Sequence, residues 1–190
     1  MKAFLIFSGF LFALAAAPAA AQIPPPPTPS PDPHTYTDPA MDYTAPADAV
    51  LVGRHDASVD ELGEDLQPVA MWVLDPGRED ARTIQISMES YPGPPEQWEG
   101  QFESQTHGAQ DGTLIRNKTP ITLLNGMPAY FVEVAYGSGF EARKEYAIVW
   151  ADGRRGVVLS ETTRMGDASA QEAMRVLKQV TAVRYPSSQP

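Results

Sequence analysis

The chain of 190 residues contains no cysteine. That excludes disulfides, thiol catalysis, thiolate metal sites and attachment of a lipid to a cysteine at a leader's end. Histidine is scarce: His34, His55 and His107 are the whole supply. None has H-x-x-x-H spacing, so no zinc motif is present. Positive charge is also short, with 14 Lys and Arg against 24 Asp and Glu, a net charge of −10. A polyanion is repelled by phosphate backbones and by anionic lipid, so no nucleic-acid partner is expected. The bland role of the charge is solubility.

Signature loops are missing as well. There is no Gly-rich phosphate loop and no dinucleotide fingerprint. Gly137-Ser138-Gly139 comes nearest to a nucleophile elbow, but it lies between two expected strands, without the strand–turn–helix context. The acids Asp56, Asp60, Glu61, Glu64 and Asp65 invite a calcium loop. An EF-hand counted from Asp56 needs glycine sixth and glutamate twelfth, where Glu61 and Gln67 stand. No pair of carboxylates is singled out by spacing for glycosidase chemistry. No catalytic residue, metal ligand or cofactor site can be assigned, and no cofactor is expected.

What is there begins at the N-terminus. Met1-Lys2 is a short positive start, Ala3 to Leu14 is apolar apart from Ser8 and Gly9, and Ala19-Ala20-Ala21 fits the small-residue cleavage rule. Residues 1–21 read as a signal peptide cleaved before Gln22, giving a periplasmic or secreted bacterial protein. The alternative is a retained anchor, since a span needs roughly 20 apolar residues. No later run is long or apolar enough to cross a membrane, so membrane contact is expected only through the leader before cleavage. Residues 22–40 carry Pro24 through Pro27, Pro29, Pro31, Pro33 and Pro39. Such a run favours polyproline II and reads as a disordered, semi-rigid linker. His34, Tyr36 and Tyr43, in or beside it, are expected to face solvent.

Residues 41–185 read as one α+β domain, long enough for a single core, with a tail at 186–190. Ala49 to Val52 and Val69 to Leu74 suit strands, and Asp56 to Gln67 suits a short helix or loop anchored by Val59, Leu62 and Leu66. Thr83 to Ser90 alternates, with Ile84, Ile86 and Met88 against Gln85, Ser87 and Glu89, predicting one buried and one wetter face. Pro94-Pro95 opens a helix carrying Trp98 and Phe102 that ends near Gly108. Strands follow at 113–124, 127–136, 141–150 and 154–162. Asn125-Gly126 predicts a two-residue type I′ hairpin, and Asp152-Gly153 a second tight turn. Ser169-Ala-Gln-Glu172 is a capping box. It opens a helix with the stripe Ala170, Ala173, Met174, Leu177 and Val180. The expected fold is a mostly antiparallel sheet of about six or seven strands with two main helices packed on it.

This order resembles the PsbP-like superfamily. The resemblance is carried by Tyr43-Thr-Ala-Pro46, Asn125-Gly126-Met-Pro-Ala129, and the strand pair Tyr146-Ala-Ile-Val-Trp150 and Gly156-Val-Val-Leu159 around Asp152-Gly153. A closing helix leads to Val183-Arg-Tyr185, so the resemblance spans residues 43–185. It implies an α/β/α sandwich and a non-catalytic adaptor or binding scaffold, with no shared catalytic residue to carry over.

The aromatics supply the only ligand-groove candidates: Trp72, Trp98, Tyr130, Tyr146 and Trp150. Their ordinary role is core. Arg143-Lys144 and Arg154-Arg155 flank the hairpin through Asp152, as a local basic spot or a charge-balanced surface. The function expected is an exported, non-enzymatic binding or adaptor domain for an unknown protein or small-molecule partner. The alternatives are a secreted hydrolase using carboxylates or His55, and an envelope structural protein tethered by an uncleaved leader.

Overall fold

A computed structural model describes residues 32–38, 41–55, 59–109, 113–137, 142–164 and 169–182. The leader, most of the proline run and the 183–190 end lie outside the described residues, as do Asp56, Ser138 and Gly139.

Strands β1 (Thr35–Asp38), β2 (Met41–Thr44), β3 (Val50–Arg54), β4 (Gln67–Leu74) and β5 (Arg82–Ser90) precede helix α1 (Pro95–Ala109). Then come β6 (Leu114–Thr122), β7 (Pro128–Tyr136), β8 (Arg143–Ala151), β9 (Arg155–Arg164), α2 (Ala170–Leu177) and β10 (Val180–Ala182). Seven strands form one antiparallel sheet in the order β3-β4-β5-β9-β8-β7-β6. The expected α+β class, a mostly antiparallel sheet with two helices packed on it, is what forms. A second sheet, β1-β2-β10, was not expected.

Alternation sorts the side chains of the large sheet onto two faces. One face carries Trp72, Ile84, Ile86, Met88, Tyr146, Ile148, Trp150, Val157 and Leu159, covered by the small sheet and α2 through Tyr36, Tyr43, Ala173, Leu177 and Val180. The other carries Val132, Val134, Ala147, Val149, Ala151 and Val158, covered by Trp98 and Phe102 of α1. Both faces of the central strand β9 are therefore buried, and the wetter face expected of β5 is covered too: Glu89 is 0% exposed.

The folded unit starts before Met41. Pro33 has no N–H to donate but keeps its carbonyl, which accepts from Trp72 Nε1 at 2.7 Å. The His34 carbonyl accepts from the Ala45 amide at 2.8 Å, and Arg54 donates to the Thr35 carbonyl at 2.9 Å. Tyr36 and Tyr43, expected to face solvent, are buried at 1% and 0% exposure. The Tyr43 ring meets Trp72 edge-on at 5.6 Å.

Two charged clusters tie the small sheet and α2 to the first face. Arg155 Nη1 donates to Asp38 of β1 at 2.6 Å and Nε to Asp152 at 2.8 Å. Burial opposes the Arg155 charge, and these bonds outweigh it, so the guanidinium is held above its ordinary range. Arg82 donates to buried Glu161 at 3.1 Å and to Glu172 of α2 at 3.0 Å. The capping box is thus half made: the Ser169 hydroxyl accepts from the Glu172 amide, while the Glu172 carboxylate answers Arg82. Among the described residues no basic spot gathers at the Asp152 hairpin, where Arg154 faces Asp60 at 3.4 Å. Arg155 is buried in its ion pairs, and Arg143 and Lys144 lie at the far end of β8.

The Asn125 turn also differs from expectation. Only Gly126 has a positive φ, 86°, so a type I′ turn, which needs two such residues, is not formed. Gly126 donates to the Leu123 carbonyl and Leu123 to the Met127 carbonyl, each at 2.9 Å. The hairpin closes around three residues, with glycine at the left-handed position.

Candidate functional site

Helix α1 is seated on the sheet at one point. Trp98 lies over Gly156 of β9, where a side chain would collide with the indole: a methyl group would sit 2.5 Å from its Cζ2 and closer still to Nε1 and Cε2. Phe102 stacks on Trp98 at 5.8 Å, and Tyr91 meets it edge-on at 6.4 Å. Beneath the helix is Glu89, opposite Gly156 in the β5–β9 register. Its Oε1 accepts from Trp98 Nε1 and Gln101 Nε2, and its Oε2 from Gln105 Nε2, all at 2.8 Å. Positions 98, 101 and 105 share one helical face, so α1 delivers three neutral donors to one buried carboxylate.

Past Phe102 a cleft of about 620 Å³ opens between α1, the sheet and the 65–68 segment. Leu66, Pro68, Phe102, Val134 and Val158 make its apolar wall. Its polar lining includes Gln85, Ser87, Gln105, Tyr136, Asp65 and Glu145. Gln85 Nε2 donates to Ser87 Oγ at 2.7 Å. Oε1 of Gln105 is buried without a hydrogen-bond partner among the described residues. Burial raises the Glu145 carboxyl above the ordinary range, against a hydrogen bond from Ser160 that lowers it. Burial, then the Glu145 charge, raises the Tyr136 hydroxyl, while Thr162 and Arg143 draw it back. The volume falls in the range of small-molecule clefts.

The five aromatic candidates do not converge. Trp72, Tyr146 and Trp150 are buried on the face covered by the small sheet. Trp98 is buried under α1, and Tyr130 is half-buried on that same side. None of the five lines the cleft. His55 is exposed at the end of β3 with its amide on the Val69 carbonyl, and it does not line the cleft. Among the described residues no group of His, Asp and Glu could hold a metal ion. No helix among them is long and apolar enough to cross a membrane.

Part of this face had a signal. Gln85 and Ser87, which line the cleft, alternate with Glu89 along one strand, and Gln101 and the cleft-lining Gln105 repeat at helical spacing.

No protein-family model matches the chain, and no curated protein does. Among solved structures the fold is similar to LpqN, involved in cell envelope biogenesis of Mycobacterium tuberculosis. The identity is 18% over 77% of this chain and 86% of that one, with a TM-score of 0.51. Protein of unknown function PA94 from Pseudomonas aeruginosa also matches, at 13% identity over 63% of this chain and 85% of that one, with a TM-score of 0.47. The likeness to LpqN is a distant one of fold, and that to PA94 carries no argument.

Proposed function

We propose that the chain is an exported, envelope-side binding domain and that the cleft beside α1 is its ligand site. The cleft carries the reading: an apolar wall is combined with a buried amide oxygen that has no partner among the described residues and a carboxyl under desolvation. Folding leaves such groups unsatisfied at a free-energy cost, and a ligand that supplies their hydrogen bonds recovers it. The signal-like leader of residues 1–21 supports export, and the proline run after it supports a spacer between the domain and the N-terminus. The LpqN likeness is compatible with an envelope role, and the PsbP-like resemblance with a scaffold that binds without catalysis.

The test is thermal denaturation of the exported protein, purified after expression of the full chain, with a small-molecule extract of its native envelope. A ligand at about a hundred times its Kd stabilises by about 2.7 kcal/mol. The melting temperature should rise for the native protein and for Ser104→Trp, on the exposed side of α1, and stay unchanged for Thr106→Trp, which fills the cleft. Equal shifts in all three proteins, or none in any, would overturn the assignment. N-terminal sequencing of the same preparation checks export: Gln22, free or cyclised, supports cleavage, and an intact Lys2 does not.

A further inference from the structure

We infer that the ligand of this cleft carries an ammonium group on an apolar body, with the Glu145 carboxylate and Gln105 Oε1 as its acceptors. The inference rests on the cleft being the ligand site and names the chemical class that fits it.

The first argument is the charge inventory. The ionisable acids lining the cleft are Asp65 and Glu145, and no Lys, Arg or His lines it among the described residues. Glu89 adds a third carboxylate just behind Gln105. The second argument is how the protein treats its other covered acids. Glu89 has three N–H donors. Glu161 has Arg82, Asp152 has Arg155, and Glu133 has Lys144 at 2.9 Å. Glu145 has the Ser160 hydroxyl and no cation among the described residues. A carboxylate is thus left with acceptor capacity facing a cleft, where a cation can enter and pair with it. The third argument is Gln105. Its amide nitrogen is spent on Glu89, so the oxygen that remains can only accept. An ammonium group is all donor and no acceptor, and so complements both atoms. Phe102, Val134 and Val158 supply the wall for the apolar body.

The probes are phenethylamine, its neutral counterpart 2-phenylethanol, and phenylacetate as the anion, each at millimolar concentration. Binding is followed by amide shifts in the exported protein. Phenethylamine should shift amides of β5, β8, β9 and the second half of α1, and bind at least about tenfold tighter than the alcohol. Glu145→Gln should remove that advantage, bringing the affinities for the amine and the alcohol together. A cation favours the ionised carboxyl, so amine affinity should fall as pH is lowered through the Glu145 titration while alcohol affinity stays flat. The other charged or titratable groups on this side among the described residues include Tyr136 of β7, Arg143 of β8 itself, Asp65 and Glu89, with Tyr91, Tyr130 and the Lys118–Glu99–Glu103 cluster between β6 and α1. Repeating the series in His107→Gln removes the one histidine of α1 as a source of the pH effect. Equal or tighter binding of the alcohol or the anion at the same amides would overturn the ammonium class and leave the ligand site standing. No shift with any probe would also overturn the ammonium class, and the extract experiment decides the site separately.

Discussion

Substituting alanine for Gly156 should unseat α1. The backbone at Gly156 is not in the left-handed region, so the substitution meets no intrinsic strain, and its whole effect comes from the indole resting on it. The Trp98 ring has no free volume to retreat into: it is 1% exposed, stacked on Phe102 and abutted by Tyr91. Forcing a methyl group into a filled core costs about 1–3 kcal/mol. If the ring moves, its bond to Glu89 breaks, and a hydrogen bond to a charged group contributes about 1.5–3 kcal/mol. Together Gly156→Ala should destabilise by about 2.5–6 kcal/mol, a large share of the 5–15 kcal/mol typical of a domain.

Urea unfolding monitored by circular dichroism measures the loss, and the Trp98 indole N–H resonance reports on the bond to Glu89. A second background makes the reasoning testable even if Gly156→Ala unfolds. In Trp98→Phe the six-membered ring lacks the Nε1 edge that the methyl group meets, so Gly156→Ala should add less than about 1 kcal/mol there. A loss below about 1 kcal/mol in the native background, or equal losses in both backgrounds, would refute the claim that the indole is seated on this glycine.

Three further outcomes follow from the buried polar groups. Arg155→Met should destabilise by about 3–5 kcal/mol in urea, because it leaves the carboxylates of Asp38 and Asp152 without their cation. Trp72→Phe removes the donor to the Pro33 carbonyl, and hydrogen exchange should quicken at Ala45, whose amide is bonded to the neighbouring His34 carbonyl, with amides of β8 unchanged. Glu145→Gln should raise the melting temperature at about pH 8 and lose that gain near pH 4. The sign follows from burial. The carboxyl titrates higher in the folded state than in the unfolded chain, so its stabilising contribution is full below the unfolded value and is lost as pH rises through the folded one. A variant that is no more stable at pH 8 would mean that Glu145 is not under desolvation.

The seven strands of the main sheet and both helices were legible because each is long enough to show its period: Ile84, Ile86 and Met88 at spacing two, Ala173 and Leu177 at spacing four. Strands β1, β2 and β10 have four, four and three residues, too few for any period to be counted. Proline counting then carried the linker past Pro33, although a proline carbonyl accepts like any other. The cleft was illegible for a different reason. Gln85, Ser160 and Glu145 come together only through the β5-β9-β8 order, which sets Gln85 opposite Ser160 and Glu145 opposite Thr162. Their separations along the chain carry no trace of that order, and beside Arg143-Lys144 a glutamate reads as surface charge.

The two carboxylates on the α1 face sharpen what distinguishes a structural acid from a functional one here. Glu89 is 0% exposed, yet the helix above it spends Trp98, Gln101 and Gln105 on its two oxygens. Glu145 lies on the same face, two strands away, and receives a single hydroxyl. Were covering the sheet the only requirement, a residue such as the neighbouring Ala147 or Val149 would serve at position 145 and bury without cost. Retaining a desolvated acid there, beside an amide oxygen with no partner and next to open volume, is intelligible if both are satisfied by something that enters the cleft. The stability gain expected of Glu145→Gln and the loss of amine binding expected of the same variant are then two readings of one compromise. A variant that gains stability and keeps the full amine preference would break the link between them.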